Sequence, residues 1–378
     1  MDEVNIDIYS DDFHNNLYET YAKLRHDVPV FFDKKREVWM LTRYEDVRKA
    51  LRNDELFRSS GTSQDFVPQL QAIDGFEHKR IRKEVISKFS QKVSSEISPH
   101  IKLVVEELFL SINKSGKIDI LNEVIKKIPQ KVMSHFMGFP DHLRFRWYEI
   151  GEPMVGLDPK NPSQPSETLF QDMIDIIDEA VAYKRIFPGD DLLSYFIDNE
   201  IKMELNAGDT ELIARTLGFA ALDTTINLLA NGTALLARFH LQRDLLIQKP
   251  ELLNNAIEEM LRFDSPTQSL PRRLADDVEL HGVLMKKNDE VSLLFGAANH
   301  DPEKYDKPEQ FDINRKCFDH LAFGFGLHKC IGQHIARMEA QIFFEFLLRY
   351  LPNYKIVTAR WMISPWARAY AELMIKAT

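Results

Sequence analysis

The segment that most constrains how this chain folds runs from Phe323 to Gly332 and reads FGFGLHKCIG. Three glycines flank Cys330, and an amphipathic run that predicts a helix from Gln333 to Leu351 begins directly after the segment. Glycine lets a loop turn sharply and lie close against a flat ligand. A cysteine at the start of a helix lies near unpaired N–H groups and the positive end of the helix dipole, which favour a thiolate. The segment therefore predicts a thiolate that binds a metal.

This cysteine segment resembles the haem-binding loop of the cytochrome P-450 monooxygenases, F-G-x-G-x-H-x-C-x-G, and matches it at every specified position. Read alone, one cysteine among glycines is more often an ordinary buried side chain. The full match reverses that weighting, and further motifs follow in the family's order over most of the chain. The resemblance implies haem b as the cofactor, Cys330 as the ligand of its iron, and Phe323 and Gly324 as residues that contact the haem.

Composition narrows the class further. The 378 residues suffice for one large domain, which we expect to span residues 1–378. The net charge of −10 gives no general basic surface for nucleic acid. Two cysteines make no disulfide framework, which fits a reducing compartment. Residues 1–7 are polar and acidic, and no stretch reaches the ~20 apolar residues that span a bilayer. We therefore expect a cytoplasmic protein without a membrane anchor, of the soluble bacterial or archaeal type.

Hydrophobic periodicity predicts a mainly α protein with a small β-rich lobe, and the resemblance implies the cytochrome P-450 fold. The loop predicted at 53–77 covers the substrate pocket in the family. The proline-rich segment 158–165 is either a plain surface turn or a loop between two mobile helices. Strands are predicted at 30–44 and 266–295. Helices are predicted at 11–27, 44–51, 77–89, 96–113, 121–137, 141–155, 167–185, 210–240, 242–248 and 251–263.

The helix predicted at 210–240 is apolar on nearly all sides and should cross the core. Its middle nevertheless carries one acid and two hydroxyls, Asp223, Thr224 and Thr225. A buried carboxylate is costly unless it has a partner. A threonine hydroxyl can bond to the carbonyl one turn back and open the helix locally, which makes a groove. Read alone, the stretch is equally well a polar spot without chemistry.

The same stretch is similar to the family's oxygen-activation motif, A/G-G-x-D/E-T. The resemblance implies that Thr224 holds the activated oxygen with a water, and that Asp223 carries protons inward. Thr225 is expected to be structural. Ala221 stands where the family most often has glycine, so we expect it to line the haem in a groove that is narrower by one methyl group.

Glu259 and Arg262 lie one helical turn apart and would usually form a solvated pair. They match the family's E-x-x-R signature, which implies a buried pair that fixes the fold around the cysteine loop. The family usually adds an arginine from a P-E-R-F-like segment, but this chain has Gln310 there. We therefore expect neutral hydrogen bonds to complete the network, or the network to be weaker.

Two haem propionates need cationic or hydrogen-bonding partners. His78 and Arg82 share one helix face and resemble the family's H-x-x-x-R. Arg272 begins a stretch like R-x-A-x-x-D-V-E-L, and His328 belongs to the cysteine segment. Singly each is more often a surface residue, but together they match the family's propionate clamp. Arg273 is the weaker of two adjacent arginines.

The expected partner is a ferredoxin-type electron donor with an NAD(P)H-dependent reductase. In the family's fold four basic residues would lie near the cysteine face and form a docking patch for an acidic carrier, unless they are merely solvated. They are Lys79, Arg80, Lys83 and Lys329.

The substrate pocket is predicted only by position in the family. Phenylalanine and alanine there fit an apolar ligand, threonine and glutamine fit a carbonyl or hydroxyl, and any of them is also consistent with plain core. The candidates are Phe66, Thr216, Phe219, Ala220, Thr267, Gln268 and Leu270.

The expected reaction inserts one oxygen atom of O₂ into a C–H or C=C bond of a small, mostly apolar molecule, as a hydroxylation or an epoxidation. Three alternatives stay open. The protein could be a peroxide-driven peroxygenase, a haem-binding sensor or carrier without turnover, or a structural protein whose cysteine is incidental. The Asp223 and Thr224 pair argues against the first two, because neither needs a proton relay.

Overall fold

The computed structural model describes residues 6–7, 10–63, 69–113, 116–150, 157–158, 161–165, 167–364 and 366–377. Helices dominate it. They are α1 (Asp11–Asn15), α2 (Leu17–Asp27), α3 (Tyr44–Arg52), α4 (Gly75–Ile86), α5 (Gln91–Ser111), α6 (Lys127–Met137), α7 (Asp141–Ile150), α8 (Glu167–Ile186), α9 (Leu192–Ile201), α10 (Asp209–Arg238), α11 (His240–Gln248), α12 (Leu253–Phe263), α13 (Phe295–Ala298) and α14 (Gln333–Tyr350).

The strands form small sheets at the margins of the helical body. They are β1 (Val30–Asp33), β2 (Val38–Leu41), β3 (Phe57–Arg58), β4 (Lys117–Asp119), β5 (Leu157–Asp158), β6 (Asn161–Pro165), β7 (Ser269–Leu274), β8 (Val278–Leu280), β9 (Val283–Met285), β10 (Glu290–Leu294), β11 (Lys355–Trp361) and β12 (Tyr370–Lys376). A five-stranded sheet has the order β1-β2-β10-β7-β3, with β10 parallel to β2, and a three-stranded sheet has the order β11-β12-β4.

The helix α10 crosses the core and organises the packing around it. Its residues are buried from Ile213 to Leu236 with few exceptions. At Gly232 a Cβ atom would come within 2.3 Å of the Phe344 ring and 2.7 Å of the Met260 sulfur. The absence of a side chain at this position therefore lets α14 and α12 pack closely against α10. Among the described residues α10 is also the one helix long and apolar enough to cross a membrane, but 72% of its apolar window is buried inside the protein.

The predicted fold class, mainly α with small β sheets, is confirmed. Two boundaries differ for local reasons. The helix predicted from residue 96 begins at Gln91, because the Ser90 hydroxyl caps it by accepting from the Val93 N–H. The helix predicted from residue 121 begins with a π-helical turn, Leu121–Ile125. The predicted helix 141–155 ends at Ile150 where description stops, and the described part of 157–165 is the hairpin β5–β6.

Candidate active site

The cysteine loop is held in shape by its own backbone. The Cys330 N–H donates to the Phe323 carbonyl at 2.9 Å, and a single 3₁₀ turn covers Gly326–His328. Gly326 has φ +73°, and a Cβ atom there would lie 2.5 Å from the Leu51 carbonyl oxygen of α3. A side chain would therefore push the loop off α3. The loop ends at α14, whose first residue is Gln333.

Cys330 is half-buried, and its sulfur lies among positive groups. Burial raises the pKa of its thiol, while the backbone N–H groups of Gly332 and Gln333 and the charges of Arg82 and Arg337 lower it. The net direction is upward. The donors at the helix start therefore act in the expected direction, but burial outweighs them. A thiolate at this position needs a metal cation as its partner.

The helix α4 packs against the cysteine loop through two histidine rings. His78 and His328 stack with centroids 4.1 Å apart and an angle of 18° between the rings. Burial, and next the neighbouring His328, lower the pKa of His78 to about 3, so its ring is neutral at physiological pH. The Nε2 of His328 is 3.4 Å from Asp74 Oδ1, an ion-pair distance without hydrogen-bond geometry. Asp74 also accepts from the Ser59 and Ser60 N–H groups, at 3.0 and 2.8 Å.

Two of the three predicted arginines lie close to this histidine pair. Arg82 donates to the Lys329 carbonyl and so ties α4 to the residue before the cysteine. Arg272 is buried, and burial lowers its pKa to about 10 while nearby Asp74 raises it. Arg273 turns the other way and pairs with Glu290 at 2.9 Å.

The residues present fit haem b, which carries two carboxylates on a flat macrocycle. Nδ1 of His78 and Nδ1 of His328 are buried without a hydrogen-bond partner among the residues that the structure describes, whereas Nε2 of His328 faces Asp74. Unpaired buried polar atoms are costly, so such atoms clustered beside a buried arginine indicate a ligand that accepts hydrogen bonds. Arg272, Arg82 and the two histidines supply the donors that propionates need.

The oxygen-activation stretch lies on α10, where one face is accessible in an otherwise buried helix. Ala220 and Thr224 are exposed, Ala221 is half-buried, and Asp223 is 6% exposed. The Thr224 hydroxyl donates to the Ala220 carbonyl at 2.9 Å. The α-helix is nevertheless continuous here, so the expected local opening of the helix is not present. The back-bond leaves the Thr224 oxygen able to accept one more hydrogen bond from the accessible side.

Sequence reasoning missed a second acid near this stretch. Glu339 on α14 is buried, and its carboxyl accepts a hydrogen bond from Thr225 while Oε1 has no partner among the described residues. Burial raises the pKa of Glu339 to about 8, so the group is protonated at neutral pH. A signal existed, because Glu339 falls on the apolar face of α14, four residues after Ile335 and four before Phe343.

The Glu259 network has a third charge, in contrast to the expectation from Gln310. Arg262 binds Glu259 with Nε and Nη2 at 2.7 and 2.8 Å, and both side chains are fully buried. Arg315 adds its Nε at 3.3 Å to the same carboxylate. The Gln310 position contributes only its carbonyl, which accepts from Arg315 at 3.3 Å. The expectation of a neutral network is wrong, because an arginine five residues further along the chain reaches the carboxylate.

The predicted substrate residues separate into two groups. The Thr216 hydroxyl accepts from the Leu70 N–H and donates to the Leu212 carbonyl, both at 2.8 Å, so it fastens a loop to α10. The Gln268 amide accepts from Tyr21 at 3.2 Å and donates to the Ser265 carbonyl at 2.7 Å inside the core.

The other candidates vary in exposure. Phe219 is buried and its ring lies 5.3 Å from that of Phe170, whereas Ala220 is exposed. Thr267 and Leu270 are half-buried, the first just before β7 and the second within it. Phe66 lies outside the described residues.

Comparison with known proteins agrees with this architecture. A family model described as Cytochrome P-450 matches residues 242–355. The steroid C26-monooxygenase of Mycobacterium tuberculosis is 32% identical over 346 residues, covering 89% of this chain and 86% of that protein. The polyketide biosynthesis cytochrome P-450 PksS of Bacillus subtilis is 29% identical over 382 residues, covering 95% of this chain and 94% of that protein.

A solved structure gives the same result. CYP109E1 from Bacillus megaterium, in complex with testosterone, superposes with a TM-score of 0.89 at 27% identity, covering 98% of this chain and 100% of that one. Fold and relatives together define an oxidoreductase whose cofactor is haem b. The chain belongs to the cytochrome P-450 family and is a monooxygenase of that family.

Proposed function

We propose that this enzyme inserts one oxygen atom of O₂ into a small, mostly apolar organic molecule, using electrons from a ferredoxin-type protein. The observation that carries the proposal is the accessible face of α10, where a back-bonded threonine hydroxyl follows a buried acid in a mostly apolar helix. In this reaction a C–H bond, O₂, two electrons and two protons give an alcohol and one molecule of water. An epoxide forms in place of the alcohol when the substrate offers a C=C bond.

Cys330 would hold the haem iron, and His78, Arg82, Arg272 and His328 would hold the propionates. The haem, when bound, supplies the iron at which O₂ is activated. The chain's own residues control protons and water. The Thr224 hydroxyl already donates to the Ala220 carbonyl. Its oxygen would therefore accept a hydrogen bond from a water molecule on the accessible side. Asp223, one residue earlier and buried, would pass protons toward that water.

The substrate class rests on the chemistry of the accessible face and on the relatives. Ala220 and Ala221 offer methyl groups to a ligand, and the buried Phe219 precedes them on α10. Apolar walls with few polar groups bind apolar ligands. One relative is named as a steroid monooxygenase, another as a polyketide biosynthesis enzyme, and the solved neighbour holds testosterone. A polycyclic or macrocyclic apolar compound fits these observations.

The electron donor would dock where α4 meets the cysteine loop. Lys79 and Lys83 are exposed on one face of α4, and Lys329 is exposed in the loop. Arg80 is unavailable, because it pairs with Asp209 at 2.7 Å and with Glu77. The exposed side chains of Phe76 and Ile86 flank the lysines on the same face. An apolar and cationic surface on an acidic protein fits an acidic partner such as a ferredoxin.

The docking surface is tested by charge reversal. Lys83→Glu should slow reduction by ferredoxin at low salt, and the deficit should shrink as salt rises. Lys355→Glu, on exposed β11, is the matched control and should behave as the native enzyme. Equal reduction rates for both variants would rule out this face. The same proposal places the enzyme in the cytoplasm, where its donor is found.

The function itself is tested with the haem-loaded enzyme and a panel of steroids, fatty acids and macrolide aglycones. A ligand that binds as proposed shifts the haem spin state, and turnover with reduced ferredoxin places label from isotopic O₂ in the product. Turnover with peroxide but none with ferredoxin would replace the proposal with peroxygenase chemistry. Absence of O₂ consumption with every donor would indicate a sensor or carrier.

A further inference from the structure

A second buried carboxylate stands beside Glu259 on α12. Consecutive residues of a helix point about 100° apart. Glu259 therefore reaches the chain around Asp312 and Arg315, while Glu258 reaches α14. Glu258 is 3% exposed. The two neighbouring acids thus connect α12 to two different segments that support the cysteine loop.

Glu258 binds two cationic or potentially cationic groups. Its Oε1 accepts from Arg337 Nε at 2.6 Å, and its Oε2 accepts from Arg337 Nη2 at 2.8 Å. Its Oε2 is also 3.1 Å from His320 Nε2. Because His320 Nδ1 accepts the Ala322 N–H at 3.2 Å, the ring proton sits on Nε2 and donates to the carboxylate. Burial alone raises the pKa of Glu258, but the bonds from Arg337 and His320 lower it to about 2.

Arg337 in turn contacts both ends of the cysteine loop. Its guanidinium carbon is 4.4 Å from the centre of the Phe323 ring, and the carbonyl of Phe323 accepts the Cys330 N–H. Its Nη1 donates to the Gln333 carbonyl at 3.3 Å and to the Gln333 side chain at 3.2 Å. The bidentate hold by Glu258 fixes the guanidinium in the one orientation that makes these contacts.

We propose that Glu258 is a positioning residue for the haem thiolate: it orients Arg337 against the cysteine loop, balances its charge, and so sets the reduction potential of the iron. This inference rests on the proposed ligation of the haem iron by Cys330. A cation near the sulfur draws electron density from it and raises the potential, and the Glu258 carboxylate opposes that effect. Glu258 is shielded from water, with its side chain 4% exposed, whereas the Arg337 side chain is 28% exposed, so solvent screens the guanidinium more than the carboxylate.

The test compares haem-loaded single variants by anaerobic redox titration. Arg337→Gln removes the cation and should lower the iron potential below the native value. Glu258→Gln keeps the shape, leaves the guanidinium charge unbalanced, and should raise the potential. Arg349→Gln removes the same charge from the exposed end of α14 and should leave the potential unchanged. Shifts of the same sign in the first two variants, or no shift, would overturn the proposal, since a purely structural brace gives no opposed pair.

If Glu258→Gln does not retain haem, a comparison of Arg337→Lys with Arg337→Gln takes its place in the test. The lysine variant keeps the charge and should stay nearer to the native potential, and equal potentials for the two would overturn the proposal. The ferrous–CO spectrum of the native enzyme separates this inference from the proposed function. A spectrum without the thiolate signature would refute the ligation of the iron by Cys330. A normal spectrum together with unchanged reduction potentials would refute only the role of Glu258.

Discussion

The rings of His78 and His328 stack 4.1 Å apart and join α4 to the cysteine loop. His78 is 1% exposed, and its Nδ1 has no hydrogen-bond partner among the residues that the structure describes. The stack therefore has two separable properties, a packing contact between aromatic faces and a nitrogen available to a carboxylate. A second histidine stack, His100 on His135 with centroids 3.7 Å apart, joins α5 to α6 and provides an internal comparison.

His78→Phe keeps an aromatic face in the stack and removes the nitrogen. A hydrogen bond to a charged group contributes about 1.5–3 kcal/mol, so haem should dissociate at least ~10-fold faster. Transfer of haem to apomyoglobin measures the rate. His100→Phe makes the same change in the other stack and should lose haem at the native rate. A native rate for His78→Phe would show that this nitrogen does not hold a propionate.

Thr224→Ala removes the hydroxyl on the accessible face of α10. We expect haem and substrate to bind as before, while a several-fold larger share of the reducing equivalents appears as peroxide. Thr233→Ala is the control, because its hydroxyl makes the same back-bond, to Leu229 at 2.7 Å, in the buried part of the helix. Product and peroxide formed per NAD(P)H are measured together. Unchanged coupling in Thr224→Ala would refute the role of this hydroxyl.

Glu339→Gln should change how stability depends on pH. The folded protein holds the Glu339 proton up to about pH 8, whereas the unfolded chain releases it near the ordinary carboxyl pKa of 4.5. The native protein therefore loses stability between these two values as pH rises, by up to about 1.4 kcal/mol per pH unit from this group. Glutamine does not titrate, so the stability of the variant should rise relative to that of the native protein as the pH increases across that window.

Urea midpoints at pH values inside and below this window measure the effect. Glu345→Gln, on the exposed side of the same helix, should follow the native profile. Parallel profiles for Glu339→Gln and the native protein would show that the buried carboxyl does not keep its proton.

Arg315→Gln tests the third charge on Glu259. Loss of a charged hydrogen bond to a fully buried carboxylate should lower stability by about 1.5–3 kcal/mol. Gln310→Ala should cost less than about 0.5 kcal/mol, because only the backbone carbonyl of that exposed residue joins the network. Denaturation midpoints of the two variants compare them directly. A larger loss of stability in Gln310→Ala than in Arg315→Gln would show that Gln310, not Arg315, is the third member of the Glu259 network.

The local motifs could be predicted from the sequence because each is carried by neighbouring residues. The glycines around Cys330, the acid and hydroxyl at Asp223 and Thr224, and the spacing of Glu259 and Arg262 need no distant partner to be recognised. The partners themselves could not be predicted. Arg315 is 56 residues from Glu259, and Arg337 is 79 residues from Glu258. Gln268 was expected near a substrate, but Tyr21, 247 residues away, places it in the core.

The direction in which a buried group's pKa shifts could not be predicted from the sequence either. The helix start predicted a low pKa for the Cys330 thiol, and the donors it implied are present at Gly332 and Gln333. How far the sulfur is desolvated depends on the packing of the folded chain around the loop, and that burial decides the direction of the shift. The same holds for Glu339, whose position on the apolar face of α14 is readable but whose isolation from other charges is not.

The central claim is that Cys330 supplies the thiolate ligand of the haem iron, and the ferrous–CO spectrum measures it most directly. The chain has one other cysteine, buried Cys317 beside Glu259, which provides the matched control. We expect the thiolate-ligated Soret band in the native enzyme and in Cys317→Ser, and its loss in Cys330→Ser. A native spectrum without that band, or its persistence in Cys330→Ser, would show that Cys330 is not the ligand of the haem iron.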